Sequence, residues 1–153
     1  MKKMSGNTIA NIVAAVLMLI TLIVVEVSFQ TAQGWFDMNS NPIIIALAVI
    51  GIVLLLAIAV LNITGIGGDG IAVSALKTVF SAGACACAGV IVGLVLGAIA
   101  TEFAYTFLSD FNKGTPKEYF MPTACIQAVA GMAISFVTIL AAAAANAFDA
   151  KKD

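Results

Sequence analysis

Histidine and arginine are absent from this 153-residue chain, and only 10% of its residues are charged. The chain therefore has no imidazole to shuttle protons near neutral pH or to ligate a metal. The seven basic residues are all lysine and the formal net charge is −1. No basic patch exists, so nucleic acid is not an expected partner. Cysteine is scarce too. Cys85, Cys87 and Cys125 are odd in number and lie inside apolar stretches, which excludes a disulfide framework as the organising principle. Two residues apart on a helix, Cys85 and Cys87 point about 200° from one another and cannot chelate together. No nucleophile stands beside a recognisable base, and no metal-ligand spacing occurs. The sequence therefore leads us to expect a non-enzymatic protein with no cofactor and no metal.

What the sequence has instead is apolar surface. Its 62% of apolar residues and mean hydropathy of +1.12 compare with about 45–50% apolar residues in soluble domains. That balance excludes a water-soluble globule, and it excludes disorder, which needs low hydrophobicity and high charge. Four runs, at about residues 9–29, 43–61, 79–108 and 123–148, are long enough to cross a hydrocarbon core, which takes roughly 20 helical residues. Membrane strands would be shorter and would alternate in polarity. The expected fold is an all-α integral membrane protein, an antiparallel four-transmembrane-helix bundle forming a single domain over residues 1–153. The first run follows Met1-Lys2-Lys3 but exceeds the 7–15 residues of a signal-peptide core and lacks a small-x-small site after it, so we expect a retained span. Pro42 and Pro122 sit where the first turn of a helix tolerates proline, and mark two helix starts. The third run exceeds the bilayer's need, so it must tilt or carry its last turns, from Glu102 onward, into the headgroups.

Lysine placement sets the expected orientation. With both termini cytoplasmic, Lys2, Lys3, Lys77, Lys151 and Lys152 fall inside and only Lys113 and Lys117 outside, as the positive-inside rule requires. The Met-Lys-Lys start and the lack of sorting motifs suggest a bacterial cytoplasmic membrane. Aromatic residues, among them Trp35, Phe36, Phe103, Tyr105 and Tyr119, gather toward the outer side, as an interfacial belt would. A short echo joins the halves: Glu26-x-x-Phe29 and Glu102-x-x-Tyr105 each end a span and lead into a loop containing Asn and Pro. The glycine loop at residues 65–70 formally satisfies G-x-G-x-x-G, but it follows a membrane helix rather than a strand, so it reads as a turn and not as a dinucleotide site.

Three features carry the functional expectations. Gly89, Gly93 and Gly97 form a tandem small-xxx-small row, a face that lets another backbone approach closely. The first expectation is a contact inside the bundle, and the second is a contact with another protein. In the fourth span Gln127, Gly131, Ser135, Thr138, Ala142 and Asn146 recur at steps of three and four. Polar atoms in hydrocarbon need partners, so this stripe should face protein, or line a polar path through Gln127, Ser135 and Thr138. Glu26 and Glu102 lie near the outer ends of their spans. They are candidates for interfacial placement, with water or Lys113 and Lys117 as partners, or for an ion or proton site. The leading functional expectation is a small membrane protein acting by association, as an accessory, scaffold or self-associating subunit. Its partners would be the lipid bilayer and a second copy or another membrane protein. The alternative is a compact ion- or proton-coupled transporter or channel using Glu26 and Glu102.

Overall fold

The computed structural model describes residues 5–31, 41–65, 70–113 and 123–149. For residues 105–107, 109–113 and 149 it describes the backbone alone. The described chain is all helical: α1 (Gly6–Thr31), α2 (Pro42–Thr64), α3 (Ile71–Lys113) and α4 (Thr123–Asp149). Each of the four is long and apolar enough to cross a membrane.

Local chemistry sets the helix ends. Ser5 caps α1: its Oγ accepts from the Thr8 N–H at 3.3 Å, and its carbonyl accepts from Ile9. Asn41 caps α2 through its Oδ1, which accepts the Ile43 N–H at 3.0 Å, with Pro42 in the first turn as the sequence implies. α2 stops at Gly65, whose φ of 61° is left-handed and whose N–H returns to the Leu61 carbonyl. Pro122 lies outside the described residues, and α4 starts immediately after it. The expected third span began at residue 79, whereas α3 begins at Ile71. Nothing in the sequence Ile71-Ala-Val-Ser-Ala-Leu76 breaks a helix, so the glycine turn is shorter than the sequence suggested.

Each helix touches two others. α1 packs on α2 and α4, and α3 packs on α2 and α4, so α1 and α3 occupy opposite corners. Hydrogen bonds fix the α1–α4 register. Asn7 reaches Ala145, Thr21 reaches Gly131 and Ser28 reaches Ala124, with α4 numbers falling as α1 numbers rise. On α2, Gly51 gives the closest approach: a Cβ there would lie 2.6 Å from Met18 Cε and 3.6 Å from Cys87 Cβ.

The buried face of α4 is Cys125, Ala128, Met132, Ser135, Ile139 and Ala142, in alternating steps of three and four that continue to Asn146. Buried positions of α1 include Asn11, Ala14, Met18, Thr21, Val25 and Ser28, at the same alternation. This 3.5-residue period is that of left-handed bundles. Facing outward are large apolar side chains such as Ile23, Val53 and Val137, each more than half exposed.

Candidate functional site

The glycine row lies on the outer side of α3. Inward positions there are Ser81, Ala84, Ala88, Ile91, Val95 and Ile99, which keep close to the 3.5-residue period. A strict four-residue row turns about 40° per step around a helix of 3.6 residues per turn. Gly89 therefore still borders the bundle, where a Cβ would meet Phe136 Cε2 at 3.9 Å, while a Cβ on Gly93 or Gly97 would meet nothing within 4 Å. Both are exposed. The expectation of a contact inside the bundle is thus corrected for Gly93 and Gly97: their spacing carries them off the core face. Just beyond them, Ala100, Thr101, Ala104 and Leu108 line an open groove of ≈ 480 Å³. The Thr101 hydroxyl is occupied on its own helix, donating to the Gly97 carbonyl at 2.8 Å.

The polar stripe expected on α4 divides. Ser135 is buried and Gly131 accepts from Thr21 Oγ1 at 3.0 Å. Gln127 is exposed, because the two four-residue steps from 127 to 135 start it off the inward face. Thr138 donates to the Ile134 carbonyl at 2.7 Å, within its own helix. Gln127, Ser135 and Thr138 accordingly do not line one path. At the middle of the bundle, residues of all four helices surround a cavity of ≈ 20 Å³, about the least that holds one water. Its lining carries two hydroxyls, Thr21 and Ser135, among apolar side chains such as Met18, Val25, Ile44, Ile91 and Met132.

The polar contact of most consequence joins three helices at the end where α1 begins. Asn11 Nδ2 donates to Asn146 Oδ1 at 3.0 Å and Asn146 Nδ2 returns a bond to Asn11 Oδ1 at 3.2 Å. Asn146 Nδ2 also donates to Ser81 Oγ at 3.1 Å, and Asn11 Nδ2 to the Asn7 carbonyl at 2.7 Å. All four amide hydrogens of the pair are used, which is what burial demands. Sequence reading singled out Asn146 and missed Asn11 and Ser81. The missed signal is Asn11 itself, a side-chain amide within an apolar run and in phase with Met18 and Val25.

Glu26 and Glu102 are on helices that stand diagonally across the bundle. The register of Ser28 with Ala124, and of Gly89 with Phe136, sets Glu102 roughly one turn further along the bundle axis than Glu26. Both are half-buried. Glu26 Oε1 is shut away from solvent with no hydrogen-bond partner, unlike any other buried side-chain oxygen or nitrogen among the described residues. The backbone of Lys113 stands on α3 about 16 Å along the axis beyond Glu102. Lys117 lies outside the described residues. No group of three or more Cys, Asp or Glu that could hold a metal occurs among the described residues. Cys85, Cys87 and Cys125 are free thiols, the last two buried. Comparison of the chain with known protein families, curated proteins and solved structures finds no match.

Proposed function

We propose that this chain is an antiparallel four-helix integral membrane protein that acts without catalysis, by associating through the outer face of α3 with a second copy or another membrane protein. Only about a third of each span is buried within the chain. The remainder is apolar and continuous, which suits lipid and not water. The order of the α1–α4 hydrogen bonds supports antiparallel packing, and the lysine distribution supports cytoplasmic termini in a bacterial cytoplasmic membrane.

The observation that carries the association reading is the open row at Gly93 and Gly97. The bundle's own helices pack at the 3.5-residue period, whereas a small-xxx-small row at four-residue spacing suits the right-handed crossing of a close backbone pair. The row has the geometry of a helix contact, and among the described residues no helix of this chain fills it. Leucine in place of Gly93 would hold a partner backbone away. We expect Gly93→Leu to shift the oligomer distribution in mild detergent or to abolish co-purification of a membrane partner, while leaving helicity unchanged. An unchanged profile in both assays removes this reading.

One observation favours a second reading, a proton- or ion-coupled transporter, namely the unpartnered oxygen of Glu26. Against it stand the separation of Glu26 from Glu102 and the apolar closure of the bundle centre. Liposome flux of Na⁺, K⁺ and H⁺ decides it. The transporter reading requires flux that Glu26→Gln or Glu102→Gln abolishes.

A further inference from the structure

We propose that Glu26 binds the primary ammonium of an aminolipid headgroup at the end of α1, an inference that rests on the membrane reading above. Glu26 borders the outward strip of α1 formed by Ile23, Val27 and Gln30, all exposed. On the other side it adjoins the buried Val25 and Phe29. It is five residues from Thr31, where α1 ends, and therefore about 8 Å from the helix terminus along the axis. That depth is where acyl chains give way to headgroups.

The carboxyl group is half provided for. Oε1 is enclosed by protein and meets no donor. A charge placed there must be answered at the second oxygen, from the lipid side, since burying an unanswered charge is expensive. Lys77, the one lysine whose side chain the structure describes, does not answer it. The backbone of Lys113 lies farther out along α3, and Lys77 is near the opposite end of the bundle, where α3 begins. A divalent cation would need six or more oxygen ligands, and among the described residues no cluster of acidic side chains supplies them. A primary ammonium fits the deficit: it brings one positive charge and three N–H donors, and one carboxylate oxygen is enough to receive it. At headgroup depth on a lipid-facing strip, the abundant carrier of that group is a lipid such as phosphatidylethanolamine. The quaternary ammonium of phosphatidylcholine has charge without N–H donors and is the weaker ligand.

The test is native mass spectrometry of the protein released from vesicles of equal phosphatidylethanolamine, phosphatidylcholine and phosphatidylglycerol. The wild-type chain should retain phosphatidylethanolamine in excess of the other two. Glu26→Gln should lower that excess about fivefold, the effect of one partly screened ion pair, and Glu102→Gln should leave it unchanged. Should Glu26→Gln fail to fold, the wild type is measured with N-acylated phosphatidylethanolamine, which lacks the ammonium and should not be retained. Equal retention of the three lipids, equal loss in Glu102→Gln, or retention of the N-acylated lipid overturns the proposal. Extraction of the wild-type chain from vesicles by alkaline carbonate would instead overturn the membrane reading beneath it.

Discussion

Replacing Asn146 with leucine should loosen the end of the bundle where α1 begins, and the size of the effect follows from the contacts. The substitution removes two bonds to Asn11 and one to Ser81, at 3.0, 3.2 and 3.1 Å. Hydrogen bonds between membrane helices are worth about 0.6 kcal/mol each on average and at most about 1.7. Three of them amount to about 2 kcal/mol. Asn11, completely buried, would then keep one donor and one acceptor without partners, which adds to the cost. Asn11→Leu should cost a similar amount. The double variant should be less unstable than the sum, because removing both amides leaves neither stranded. A double-mutant cycle, read by reversible unfolding in bicelles, should therefore give a coupling of about 1 kcal/mol. Additive single effects would refute the reciprocal amide pair and the α1–α4 register with it.

Gly51→Val should destabilise the protein by about 1–3 kcal/mol through overpacking against Met18, and Met18→Ala in the same chain should recover part of that loss in the same assay. Gly65→Ala places a side chain at a φ of 61° and should cost about 1 kcal/mol, read as a lower denaturation midpoint with an unchanged oligomeric state. In proteoliposomes loaded with a pH- or ion-sensitive dye, the wild type, Glu26→Gln and Glu102→Gln should all match empty vesicles. Flux in the wild type that either variant abolishes would replace the association account with the transporter reading.

Much of the fold was legible because hydrocarbon thickness and backbone hydrogen bonding leave an apolar chain few choices. Apolar runs of about 20 residues announced the helices and the proline at 42 the start of one, while α2 runs past the expected end at 61 to stop at Gly65. The start of α3 was misplaced, since glycines and Lys77 resembled a long loop although only a short one is needed. Faces were harder to read than spans. A row at four-residue spacing and a face at 3.5 coincide for one turn and diverge by the third. This is why Gly89 still borders the side of the bundle where Phe136 lies while Gly97 faces away, and why Ser135 is buried while Gln127 is not. The Asn11–Asn146–Ser81 contact depends on three helices meeting, a relation that no local pattern along one of them encodes.

Photo-crosslinking from two outward positions tests the central claim most directly. A photoreactive residue at Ala100, beside Gly97 and within the open groove of α3, is compared with one at Val53, on the exposed face of α2, in intact membranes. The account predicts a protein adduct from position 100 and only lipid adducts from position 53. Lipid adducts alone at position 100, or equal protein adducts at both, would contradict it.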